Sequence, residues 1–387
     1  MIKKELAHIR KQFKLDHDLL QLFDILNVYI TKDSEEIYHY ECQPFGMLDR
    51  EKQELYMGNF KKLLLGELGQ KLFELSFQEQ AEEPTQVLLH QGMITGDSEE
   101  WLNLMLLLVQ KMLKDNKYEK DTVVTFVRGQ YYRPTKSRND EAEETGKDEM
   151  FAHPFILCSV NSTEQPRKTL QFDYVEREFK YSVIVDPIIK LSTPEQGFFF
   201  PSVTDNYSDV NRVLYCAGKA NEPNLHFIEQ VLNAEKTVTA LEERSIFEDI
   251  VKEVAGEELE SSTIAQVYES IHQVIESHET EEPPTLDYTD VERMLTASGV
   301  ENVTIEKVKQ AFETVVDDKN YEIKAASVLP KFTSKSIKIE TKVATVSVSP
   351  QDLKYLRQVN FQGRRCLLIE VDEDIVIEGF TLSTETL

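Results

Sequence analysis

Phe155-Ile156-Leu157-Cys158-Ser159-Val160 is a run of six residues with one polar side chain, entered through His153-Pro154. A run this apolar and this short reads as a buried strand, because helices of ordinary length need ten residues or more. Around it lie further strand signals. Upstream, Thr122–Val127 is rich in β-branched residues, and Asp24–Thr31 and Glu36–Cys42 flank the polar turn Lys32-Asp33-Ser34-Glu35 as a hairpin. Downstream, Tyr181–Val185 ends at Asp186-Pro187, and Gly197-Phe198-Phe199-Phe200-Pro201 sets three phenylalanines in a row. Consecutive strand residues face opposite sides, so those rings are expected to divide between a core and a partner-facing surface.

Helices are interleaved with these strands. Ile2, Leu6, Ile9 and Phe13 form one helical stripe, read as an N-terminal helix docked on its own domain. Asp49 is placed to cap a helix through Leu55, Phe60 and Leu64 that ends near Gly66 and Gly69. Asp97-Ser98-Glu99-Glu100 opens another through Trp101, Leu104, Met105, Leu108 and Met112, apolar enough to be buried. From Asn224 to Asp318 every periodic segment is helical. Ile264, Val267, Tyr268, Ile271 and Ile275 make an apolar stripe, Thr289 and Glu292 suggest a capping box, and Ile305, Val308, Phe312 and Val315 build the next helix. The tail returns to strands: Ser336–Val348 alternates, and Cys366–Val371 is expected to pair with Ile375–Ile377 through Asp372-Glu373-Asp374. The reading is an α+β protein with a mixed domain over residues 1–235, an acidic helical segment over 236–318 and a small β-rich domain over 319–387.

The chain carries a net charge of −26, and residues 241–282 alone hold thirteen acidic side chains against two basic ones. Such a block repels nucleic acid and anionic membranes and attracts basic partners. Basic clusters occur only at residues 3–14 and Arg128–Arg138, so direct duplex binding is not expected. The two helices over 289–316 resemble a helix-turn-helix superficially, but the second offers only Lys307 and Lys309 against Glu306 and Glu313. No apolar run is long enough to span a bilayer, and none follows the N-terminal lysines as a secretory signal would. Cys42, Cys158, Cys216 and Cys366 lie far apart, consistent with a reducing cytoplasm. The acidic, nearly apolar-free segment Arg138–Met150 reads as a loop or a locally disordered excursion.

The stretches Phe155–Val160, Gly197–Pro201 and Val346-Ser347-Val348-Ser349-Pro350 with Gly363-Arg364-Arg365-Cys366-Leu367-Leu368-Ile369 resemble a bacterial family known only as domain of unknown function 4317. The resemblance extends over most of the chain. It implies a bacterial, cytoplasmic protein and brings no catalytic residues with it.

Chemistry-bearing patterns are sparse. Histidines lack zinc-ligand spacing, His272 and His278 sitting six apart, and no metal or other cofactor is expected. Glycine is scarce at 14 residues, which disfavours a phosphate-cradling loop. Asp205, Asn206, Asp209 and Asn211 offer oxygen ligands but suit a turn in which Asp and Asn bond their own backbone. The best enzymatic candidate is a metal-dependent phosphodiesterase or nuclease built on Asp173, Glu178 and Lys180, since alternation puts Glu178 and Lys180 on one strand face; Glu340-Thr341-Lys342 repeats that step. The leading expectation is instead a non-enzymatic interaction or regulatory protein. In it, an acidic helical surface centred on Glu253, Glu257, Glu258 and Glu260 meets a basic protein partner, or mimics nucleic acid in a binding groove. A merely solubilising face is the plain alternative.

Overall fold

The computed structural model describes residues 3–15, 18–79, 84–134, 150–164, 168–183, 186–204, 207–278 and 283–383. The chain forms two compact units, Met1–Thr237 and Val238–Leu387. It is an α+β protein.

The first unit contains α1 (Lys3–Gln12), β1 (Leu20–Ile30), β2 (His39–Pro44), α2 (Arg50–Leu63), β3 (Leu72–Ser76), α3 (Thr85–Ile94), α4 (Ser98–Leu113), β4 (Thr122–Pro134) and β5 (Met150–Glu164). There follow β6 (Lys168–Asp173), β7 (Glu178–Val183), β8 (Ile188–Ile189), β9 (Gln196–Phe200), β10 (Ser202–Thr204), β11 (Tyr207–Asp209) and β12 (Arg212–Ala217). An antiparallel sheet runs in the order β2-β1-β4-β5-β9-β12-β3, with β8 against the end of β5.

Antiparallel sheets commonly leave one face to water. Here helices cover both. Ile156, Cys158 and Val160 of β5 point into a core shared with Trp101, Met105, Leu108 and Met112 of α4. Phe155 and Leu157 point the other way, into a core with Leu6 and Ile9 of α1, Phe13, and Met57, Phe60 and Leu63 of α2. Period-two alternation therefore yields a continuous apolar run, since each face meets its own helical layer. The three phenylalanines of β9 show the same division, and correct the expectation of a partner-facing ring. Phe198 and Phe200 enter the first core and Phe199 the second, all with no exposed surface.

Local signals explain the helix boundaries. Asp49 accepts a bond from the Lys52 amide at the start of α2, and Asp97 from the Glu99 amide at the start of α4. Arg128 leaves the expected basic cluster altogether. It lies buried under the N-terminus of α4, donating from Nε and Nη2 to Asp24 Oδ2 at 2.7 Å each. Its Nη1 donates to the Thr95 carbonyl at 2.7 Å, and its guanidinium carbon sits 5.2 Å from the Trp101 ring centroid. The acidic segment expected to be a loop falls, over residues 138–149, outside the described residues.

The second unit begins with α5 (Ala240–Ala255) and α6 (Ser261–Ser277), then β13 (Thr285–Leu286), α7 (Tyr288–Ala297), α8 (Ile305–Val316), β14 (Ile323–Lys324) and α9 (Ala325–Val328). Its terminal strands are β15 (Ile337–Glu340), β16 (Thr345–Val348), β17 (Leu356–Phe361), β18 (Arg364–Ile369), β19 (Val376–Ile377) and β20 (Phe380–Thr381). Phe247, Ile250 and Val254 of α5 pack with Val267 and Ile271 of α6, Leu295 of α7 and Phe312 of α8. Thr239 and Glu242 close a capping box ahead of α5. For α7 the cap stands two residues before the expected pair: Asp287 and Asp290, not Thr289 and Glu292, exchange the bonds. Aspartate competes well at an N-cap, and Asp287 already supplies an acceptor where the chain enters the helix.

The tail hairpins also differ from expectation. Arg364–Ile369 pairs with Leu356–Phe361, and Val376–Ile377 with Phe380–Thr381, rather than with each other. Both connections are two-residue turns, Gln362-Gly363 and Glu378-Gly379, with every residue at positive φ. A tight hairpin needs that left-handed pair, which an X-Gly step reaches easily and Asp372-Glu373-Asp374 does not.

Candidate functional site

The acidic block begins on α5 and continues through the α5–α6 connection. Glu253 lies in the last turn of α5, Glu257 and Glu258 in the connection, and Glu260 at the N-cap of α6; all four are exposed. The same helices point Ile250, Val254, Val267 and Ile271 inward, so their amphipathic spacing leaves most carboxylates for water; Glu243 is the exception, buried and accepting from the Lys324 amide at 3.2 Å. The two cations of the block are engaged elsewhere. Arg244 Nε pairs with Glu248 at 3.0 Å and Lys252 Nζ with Asp249 at 3.2 Å. Among the described residues, none of the four carboxylates lies within ion-pair distance of a lysine or arginine. Glu260 accepts a bond from the Ser262 hydroxyl at 3.2 Å.

Asp173, Glu178 and Lys180 do come together. Asp173 stands opposite Glu178 in the β6–β7 register, and Lys180 Nζ lies 3.0 Å from Asp173, 2.7 Å from Glu176 and 3.7 Å from Glu178. Asp173 also accepts from the amides of Glu176 and Val175, and the Glu176 bond first, then Lys180 and the Val175 bond, hold its carboxyl below the usual range. Bonds to Glu176 first and Asp173 next raise Lys180 and keep it cationic. The group sits on the polar face of an exposed two-stranded ribbon, where Lys180 already pairs with all three carboxylates. The parallel triplet is not on one strand: β15 ends at Glu340, and Lys342 belongs to the following turn.

The other candidates are occupied structurally. Asp209 accepts from the Asn211 amide and pairs with Arg212 at 3.5 Å, while Asn211 Oδ1 accepts from Gln86. Asp205 and Asn206 fall outside the described residues. Of the two lysines on the helix-turn-helix-like pair, Lys307 donates to the Val254 carbonyl at 2.7 Å and Lys309 lies 4.4 Å from the Tyr288 ring. The first satisfies a carbonyl at the end of α5, where positive charge is favourable. Burial pushes the thiols of Cys158 and Cys216 up, so neither is a thiolate nucleophile at neutral pH. Among the described residues, no group of three or more His, Cys, Asp and Glu side chains is arranged to hold a metal ion. No helix among them is long and apolar enough to cross a membrane.

Sequence reasoning missed one contact between chemistry-bearing groups. His153 Nδ1 lies 3.0 Å from Ser208 Oγ, and the His153 ring stacks on Tyr131 at 4.9 Å. The residues are 55 positions apart in the chain, and no local spacing joins them. Burial, followed by the charges of Arg133 and His8, lowers the His153 pKa. The unfolded chain then takes up a proton near the ordinary pKa of about 6.5 before the folded chain does, so stability falls as pH drops through that window. We expect the urea midpoint of the first unit to decrease from pH 7.5 to 5.5, and His153→Gln to flatten that decrease. An equal slope in the variant would remove His153 from the account.

An open cleft of about 420 Å³ lies in the second unit between α6 and the segment after α9, walled by His272, Ile275, Leu329, Pro330, Lys331 and Phe332. The His272 ring stacks on Phe332 at 4.0 Å and its Nδ1 lies 3.6 Å from Glu276. No curated protein matches the chain. Residues 1–380 match the family described as Domain of unknown function (DUF4317), which covers both units, and the chain belongs to that family.

Proposed function

We propose that this is a non-enzymatic interaction protein whose acidic helical surface receives a basic protein partner. The supporting observation is the set of exposed carboxylates Glu253, Glu257, Glu258 and Glu260, grouped about one helix junction where the nearby Lys252 and Lys307 pair with Asp249 and the Val254 carbonyl rather than with them. Their mutual repulsion is relieved when a partner supplies positive charge, and a field of this sign also speeds encounter with a basic surface. The phosphodiesterase reading has less support, because Asp173, Glu178 and Lys180 satisfy one another on an exposed ribbon.

The test is affinity capture from native extract at about 50 and 500 mM salt, a range across which exposed charges become strongly screened. The bait is wild type or the variant carrying Glu253→Gln, Glu257→Gln, Glu258→Gln and Glu260→Gln. A basic protein held by wild type at low salt, and lost both at high salt and by the variant, is the expected outcome. Partners that survive both challenges would reduce the acidic junction to a solubilising face.

A further inference from the structure

The β6–β7 ribbon has one feature that neither the acidic junction nor the ion-pair cluster uses. Its register sets Leu170 opposite Tyr181 and Phe172 opposite Phe179, while Gln171 opposes Lys180 and Asp173 opposes Glu178. One face is therefore wholly apolar over these pairs and the other polar. Among the described residues the apolar face is largely uncovered: Leu170 is 71% exposed and Phe179 72%. At the turn, Tyr174 is 86% exposed and Val175 91%, and Tyr174 meets the edge of Phe172 at 5.2 Å. Phe172 and Phe179 likewise meet at 5.2 Å, so the rings form one connected patch. A two-stranded ribbon is marginally stable by itself and needs a layer on its apolar face.

We propose that the apolar face of β6–β7 packs against the same face of a second copy of this chain. Charge singles out this face as the one where two copies repel least. The chain carries −26, so two copies repel each other over most of their surface. Within residues 170–181, however, Arg177 and Lys180 offset two of the three carboxylates Asp173, Glu176 and Glu178, leaving a local charge of only −1. The acidic side chains of the ribbon are moreover gathered on Lys180, on the face turned away from the patch. Two copies can thus meet here with little like-charge repulsion, whereas a basic partner finds no carboxylate among Leu170, Phe172, Phe179 and Tyr181. Area argues the same way. Aromatic side chains present roughly 150–250 Å² each, so this patch offers several hundred Å² per copy. Doubled, that approaches the roughly 1,200–2,000 Å² of a specific interface. A contact of one face with itself also closes as a two-fold dimer, leaving no second sticky surface. The dimer goes beyond the acidic-surface reading and rests on none of its residues.

The experiment is sedimentation velocity on the full chain from about 1 to 100 µM. Wild type is expected at twice the 44.8 kDa chain mass. The Phe172→Ser/Phe179→Ser variant is expected at the chain mass, with self-association weakened at least about a hundredfold, as loss of two aromatic anchors implies. Its circular dichroism and thermal transition should match wild type, since the sheet cores do not include these rings. Gln171→Ala on the polar face should leave the dimer intact, and 1 M salt should preserve or strengthen it. A wild type at the chain mass throughout, a dimer that survives Phe172→Ser/Phe179→Ser, or a species larger than the dimer would each overturn the proposal.

Discussion

Phe199→Ala is expected to destabilise the first unit by roughly 3–5 kcal/mol, and Phe198→Ala by a similar amount. The two rings are neighbours in sequence but lie in different cores. Phe199 stacks on Phe155 at 5.1 Å beneath α1 and α2, whereas Phe198 meets Phe126 edge-on at 6.4 Å beneath α4. Each truncation opens a cavity under a helical layer that can only partly collapse. The chain's single tryptophan, Trp101, is fully buried in the first core, so its fluorescence in a denaturant titration reports on this unit. Loss of stability for one ring with less than about 1 kcal/mol for the other would mean that the second face is not a packed core. Gly197, just before them, is constrained by its neighbour in the sheet. A Cβ there would stand 2.1 Å from the Cys158 carbonyl oxygen, so β5 and β9 approach this closely only with glycine in place.

Arg128→Ala should also cost about 3–5 kcal/mol, for an electrostatic reason. Asp24 and Arg128 are both buried, and removing the guanidinium leaves a carboxylate without its countercharge. It also removes the donor to the Thr95 carbonyl and the one 3.2 Å from Ser98 Oγ, which together fix the entry to α4. Asp24→Ala should be comparably damaging, because it strands the cation. The double variant should cost at least about 1–2 kcal/mol less than the two single losses combined, since no unpaired charge remains buried. Additive losses, measured by the same tryptophan titration, would show that the pair is not coupled.

The helices and strands of this protein were legible where local chemistry acts alone. Asp49 and Asp97 cap their helices because a carboxylate beside free amides needs no distant partner. The stripe at Leu6, Ile9 and Phe13 is buried as its spacing implies. Phe155–Val160 is a strand because six such residues have few other ways to hide. Errors arose where one local signal competed with another. The α7 cap moved to Asp287, and the tail strands paired across X-Gly turns that outrank an acidic triplet.

Sequence by itself thus determined the α+β class, most element positions, the acidic helices with most of their carboxylates outward though not Glu243, and the common face of Glu178 and Lys180. These follow from periodicity and charge, which are properties of neighbouring residues. Tertiary structure alone decided that both faces of the sheet are covered, so that all three phenylalanines of β9 are core. It alone withdrew Arg128 from the basic surface by placing Asp24 beside it, 104 positions away, and brought Ser208 to His153. It alone left Leu170 and Phe179 of β6–β7 mostly exposed. Burial depends on which elements meet, and that meeting is settled by the packing of distant segments, which no local window of sequence contains.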